Sequence, residues 1–93
     1  MIQVSADSAK VTSVMTLANA RELLERGNEL IAGPVSSFDL GAVTDVDSSG
    51  LAVLFGWLRE AQRLGKTVRI LNLPQNLSSL AEVYGVSDLL PAS

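Results

Sequence analysis

The densest concentration of functional groups in the chain is Thr44-Asp45-Val46-Asp47-Ser48-Ser49-Gly50. Two hydroxyls follow two carboxylates there, just ahead of an apolar helical pattern. Asp and Ser are favoured helix caps because their oxygens satisfy the free N–H groups of a first turn, and acidic side chains complement the helix dipole. Local physics alone favours that capping role. Gly50 points further, since a glycine inside a first turn costs roughly 1 kcal/mol against alanine and its physical return is that something else can approach the backbone closely. Adjacent hydroxyls at a helix start also suit a phosphate, which would meet exposed N–H donors. Asp45 and Asp47 would repel a dianion, so they argue for an uncharged hydroxyl at rest and a large effect if phosphate were added.

Other chemistries lack their residues. The chain contains no Cys and no His, which removes disulfides, thiolate zinc sites, His-based nucleophilic pairs and imidazole acid–base work. Asp39, Asp45 and Asp47 do not have the ligand spacing of a cation loop. The scattered Gly27, Gly33, Gly41 and Gly50 form no phosphate-binding loop. No metal, no cofactor and no enzymatic turnover are expected. Seven Lys and Arg against ten Asp and Glu give a net charge of -3, which offers nucleic acid no general attraction.

The elements that must position this cluster follow from periodicity. With 47% apolar and 18% charged residues, the 93-residue chain has the composition of one globular core, and residues 1–93 are expected to form a single domain. Ile2, Val4, Val11 and Val14, around Ala6-Asp7-Ser8-Ala9, predict two short strands and a turn. From a Thr16 cap, Leu17, Ala20, Leu24 and Ile31, with Leu23 and Leu30, predict a first helix ended by Gly33-Pro34. Val35 to Leu40 alternates as a strand, and Ala42 to Asp47 is a short run ending in cap-type residues. A second helix then runs to Leu64, with Leu51, Leu54, Phe55, Leu58, Ala61 and Gln62 inward and Gly65 as its stop. Thr67 to Leu71 is a strand. A third helix follows Pro74 through Leu77, Leu80, Ala81 and Val83 to Gly85, and a tail with Leu89-Leu90-Pro91 is expected to dock on the body. The predicted fold is α/β (α+β), with a mixed sheet of four to five strands and helices mostly on one side.

On the second helix, Ala52, Gly56, Arg59 and Arg63 share a side on which small residues precede cations. That side suits a partner helix as well as it suits solvent. Val53 and Trp57 lie between the two sides, so Trp57 is either core rim or an interface anchor. Met1 to Lys10 lacks a basic start and an apolar run, and no stretch reaches the roughly twenty apolar residues that span a bilayer. A cytoplasmic protein that reaches a membrane only through a partner is the expectation. A domain this small also has little room for an acyl-chain cavity beside its core.

Phe38-Asp39-Leu40, then Val46-Asp47-Ser48-Ser49-Gly50-Leu51, the helix that follows, and the strand from Lys66 to Leu71 together resemble the STAS family, the fold of the anti-sigma factor antagonists. In those antagonists the serine after the aspartate accepts phosphate, which implies Ser48 here, and its state decides binding of the partner kinase. Met15-Thr16-Leu17-Ala18-Asn19-Ala20, Val43 to Leu54, and Leu80-Ala81-Glu82-Val83-Tyr84-Gly85 with Leu89-Leu90-Pro91 resemble more closely the STAS subunits of the Mla phospholipid transporter. That branch implies a regulatory adaptor bound to an MlaF-like ABC transporter ATPase, peripheral to the inner membrane. The candidate partner-binding residues are therefore Asp47, Ser48, Ser49, Gly50, Ala52, Trp57 and Arg59. Many STAS domains carry Gly and an acidic residue ahead of the first helix, where this chain has Ser13-Val14.

Overall fold

A computed structural model describes residues 1–90. Its sheet has four strands, which lie side by side in chain order. The hairpin of β1 (Ile2–Ser5) and β2 (Ser8–Val11) is antiparallel, turning at Ala6-Asp7 with Ala6 in the left-handed region (φ 54). β3 (Ser37–Asp39) pairs parallel with β2, and β4 (Arg69–Leu71) parallel with β3, so Ala9, Phe38 and Ile70 form one row across the sheet. All three are buried, whereas Lys10 and Arg69, which alternate with them, are exposed. One face is thus core and the other polar, as period-two alternation requires. The predicted mixed sheet is present with four strands. Outside these strands the described residues add an isolated parallel bridge, Met15 to Val46.

The buried face is covered by α1 (Ala20–Ala32), α2 (Ser48–Arg63) and α3 (Gln75–Val83). α1 buries Leu23, Gly27, Leu30 and Ile31, one stripe at i, i+4, i+7 and i+8. α2 crosses the centre. Trp57 is fully buried, stacks on Phe38 (centroids 4.4 Å apart, 12° between planes), and donates its Nε1–H to the Leu23 carbonyl at 3.1 Å. Burying one such side chain contributes about 1.5–3 kcal/mol, so this stack is a principal fastening of the layers. α2 and α3 both end in an αL glycine. Gly65 and Gly85 have φ 70, and the following N–H groups return to Ala61 O (2.8 Å) and Ala81 O (2.9 Å).

Several sequence expectations require correction. α1 begins at Ala20 rather than after Thr16. Asn19 organises the approach by accepting from Thr16 N (3.1 Å) and donating to Val14 O (2.6 Å), and Leu17, assigned to the apolar face, is 77% exposed. Gln62 and Val83 were also expected inward and are exposed. The strands expected over 35–40 and 67–71 are limited to Ser37–Asp39 and Arg69–Leu71. The tail makes a 3-10 turn at Ser87–Leu89, and Leu90 packs on the core. The Leu89 side chain and Pro91 lie outside the described residues.

Lys66 has a role that periodicity does not reveal. Its Nζ donates to Ile31 O (2.7 Å) and Gly33 O (2.9 Å), placing a cation on the orphan carbonyls at the end of α1. Lys66→Met is expected to lower stability by about 1 kcal/mol, the net worth of such hydrogen bonds. An unchanged denaturant midpoint would remove this tie from the account.

Candidate functional site

The chain leaves β3 through a turn held by Asp39, which accepts from Gly41 N (2.8 Å) and Asn72 Nδ2 (3.0 Å). The Asn72 amide first, then Gly41 N–H, holds the Asp39 carboxyl below its ordinary range. Asp39 is therefore a turn residue. Among the described residues no group of three or more His, Cys, Asp or Glu could hold a metal.

Asp47 is the N-cap of α2, in extended conformation (φ -131, ψ -171). One carboxylate oxygen accepts from Ser49 N at 2.8 Å, the capping bond expected of it, and the other accepts from Leu17 N at 3.1 Å, thirty residues away. The Met15–Val46 bridge lies alongside: Met15 N donates to Asp45 O (2.9 Å) and Asp47 N to Met15 O (3.2 Å). Here Gly50 finds its reason, because a Cβ there would come within 2.5 Å of Met15 O. The close approach inferred from this glycine is made by the chain's own backbone. Asp47 and Gly50 thus clamp the α1 approach onto the first turn of α2, and both are occupied within the fold.

Asp47 is held charged by the Leu17 N–H first, then by N–H groups of the α2 first turn, which lower its pKa from the ordinary 3.8. With Asp39 shifted the same way, both carboxylates contribute stability that is fully present above the unfolded value and lost as pH falls through the lower folded values. Melting temperature is expected to be level from neutrality down to about pH 5 and to fall below about pH 4. Asp47→Asn, which retains a cap, is expected to make that acid fall shallower. An acid profile unchanged by the substitution would refute the linkage.

The remaining candidates do not share one surface. Ser48 is exposed and lines an open groove of about 980 Å³ between the start of α2 and α3, with Val43, Thr44, Val46 and Asp47 on its own wall and Pro74, Gln75, Asn76, Ser79, Leu80 and Tyr84 on the other. Ser49 and Ala52 turn the other way, lining a smaller cleft of about 260 Å³ against Ala20, Arg21 and Leu24 of α1. Arg59 is exposed farther along, beside Phe55, Leu58, Gln62 and Val86. Gly56, placed by periodicity on an open side, lies under Leu24, whose Cδ1 would be 2.5 Å from an added Cβ. Trp57 is core throughout and offers nothing to a partner. The stripe from Ala52 to Arg63 is thus interrupted by α1. Sequence reasoning missed the α3 wall, because Gln75, Asn76 and Ser79 are uncharged helix-surface residues whose only distinguishing property is where the fold puts them.

Comparison with known proteins assigns the arrangement. The family described as "Mlab, STAS domain" matches residues 2–91. This chain belongs to the STAS domain family. The STAS domain is similar to the intermembrane phospholipid transport system binding protein MlaB of Haemophilus influenzae, with 41% identity over 54 residues. That match covers 58% of this chain and 51% of the relative, so it spans about half the relative's length. Among solved structures it resembles the anti-sigma factor antagonist SpoIIAA in its unphosphorylated form, at TM-score 0.65 and 15% identity over 88% of this chain and 80% of that one. The Bacillus cell fate determinant SpoIIAA in its phosphorylated form matches at TM-score 0.65 and 15% identity over 100% and 89%. At that identity the likeness carries the α/β fold alone. No helix among the described residues is long and apolar enough to cross a membrane.

Proposed function

We propose that this STAS domain is a non-enzymatic adaptor that docks through the surface around Ser48 onto the ATPase of a phospholipid-transporting ABC complex, acting in intermembrane phospholipid transport and outer-membrane lipid asymmetry. The observation that carries the reading is the contrast within the α2 first turn: Asp47 and Gly50 are consumed by the Leu17 and Met15 backbone, while the Ser48 hydroxyl between them is exposed on a groove. A rigidly held, solvent-facing hydroxyl costs little to bury in a close-packed interface because its cradle is already ordered. The name of the MlaB relative, a binding protein of an intermembrane phospholipid transport system, supports the transport context of this reading. On this reading the protein is cytoplasmic and peripheral to the inner membrane through its ATPase, with no cofactor, no nucleic-acid partner and no insertion of its own.

A second reading, an anti-sigma factor antagonist switched by phosphorylation of Ser48 and bound by a kinase, draws on the same exposed hydroxyl and on the SpoIIAA-like fold. Co-expression with the ATPase and, separately, with an anti-sigma factor kinase decides between them. Stoichiometric co-purification with the ATPase, without phosphate on Ser48, is the expected result. Phosphate transfer from the kinase to Ser48, with no ATPase retained, would replace the first reading by the second.

A further inference from the structure

The groove beside Ser48 has an apolar floor and a one-signed rim. Val46, Leu80 and Tyr84 line it, and Val83, one turn beyond Ser79 and two beyond Asn76 on the same side of α3, is 79% exposed, with Tyr84 at 58%. The segments forming its walls, residues 43–48 and 74–84, carry Asp45, Asp47 and Glu82 and no lysine or arginine. The chain's cations belong to other segments: β2, α1, the second half of α2, and the α2–β4 connection with β4. Apolar surface gathered in a groove, with exposed Val83 and Tyr84 beside it, is what a partner's apolar side would cover. The acidic rim repels anionic lipid and anionic protein surfaces, and it selects a cationic occupant.

We infer that the groove between the start of α2 and α3 receives a basic amphipathic segment of a protein partner, its apolar side on Val46, Leu80 and Tyr84 and its lysines or arginines toward Asp47, the carboxylate that lines the groove. The inference rests on the reading that the docking surface surrounds Ser48, and adds to it α3 as the second wall and the charge of the segment that binds. Recognition is then divided: the apolar floor supplies affinity, and the rim supplies rate and selectivity.

The test uses the whole isotope-labelled chain and defined probes, a leucine–lysine amphipathic helical peptide and its leucine–glutamate counterpart. The lysine peptide is expected to shift the amide resonances of Ser48, Gln75, Ser79 and Tyr84, and the glutamate peptide to leave them in place. Ser79→Lys, at an exposed position, is expected to weaken lysine-peptide binding about tenfold, and added salt to weaken it further. Shifts confined to α1, equal binding of the glutamate peptide, or the same shifts on adding phosphatidylglycerol vesicles would overturn the inference. Because the titration contains no ATPase, its failure leaves the adaptor reading standing, and failed co-purification leaves the groove standing.

Discussion

Gly27→Ala is expected to destabilise the protein by about 3 kcal/mol, although alanine is the better helix former by about 1 kcal/mol. Gly27 lies in the interior of α1, facing α2, and a Cβ there would fall far inside contact distance of Trp57 Nε1 and Cε2 and 2.8 Å from Cδ1. The indole has no room to retreat. It is fully buried, stacked on Phe38, and bonded through Nε1 to Leu23 O. Accommodating a methyl group must therefore separate the two helices, break the stack, or orphan a buried donor at a cost of about 1–3 kcal/mol. For a domain of this size the melting temperature is expected to fall by about 15 °C. A double-mutant cycle with Trp57→Leu supplies the control: the pair is expected to lose markedly less than the sum of its single changes, because both act on one contact. A Gly27→Ala melt at or above the wild-type value would refute the close packing.

The same contact shows where sequence reading stops. α2 was legible at both ends because Asp47 and Gly65 act locally, through a side-chain cap on Ser49 N and a left-handed residue beyond the last turn. The start of α1 was misplaced because its determinants lie elsewhere: Asp47 takes Leu17 N from thirty residues away, and Met15 is drawn onto Val46. Helical spacing at Leu17 is real but unused. Trp57 and Gly27 are 30 residues apart and explain each other only in space, although a glycine inside an amphipathic helix is a signal that something large approaches. At the candidate site, cap-type residues mark the cluster around Ser48 in the sequence, and the resemblance to the STAS family is what singles out Ser48 within it. The α3 wall was invisible since Gln75, Asn76 and Ser79 gain meaning only from the loop 43–47 opposite. The supposed stripe through Gly56 failed for the converse reason, since Leu24 of α1 covers it.

Ser48→Asp is expected to reduce affinity for the ATPase by about a hundredfold or more while leaving the melting temperature within about 3 °C of wild type. The two halves of that expectation have separate causes. Ser48 is exposed, the capping bond belongs to Asp47, and an acidic side chain at the first position of a helix is favoured by the dipole by about 0.3–1 kcal/mol, which offsets repulsion from Asp45 and Asp47. Folding therefore has little reason to respond. In the complex the new carboxylate would be desolvated above Val46 and Leu80, where the groove is apolar. The partner's cations are on this reading already matched to Asp47, so the added carboxylate beside it stays unpaired, and its cost far exceeds that of losing the hydroxyl it replaces. Ser48→Ala, which keeps the surface neutral, is expected to change affinity only about threefold. Calorimetric or surface-based titration of each variant against the ATPase, paired with its melt, reads both quantities. If Ser48→Asp binds as tightly as wild type at an unchanged melting temperature, the helix start is only a cap, and the docking surface lies on the α1 side, at Ser49 and Ala52, or farther along at Arg59.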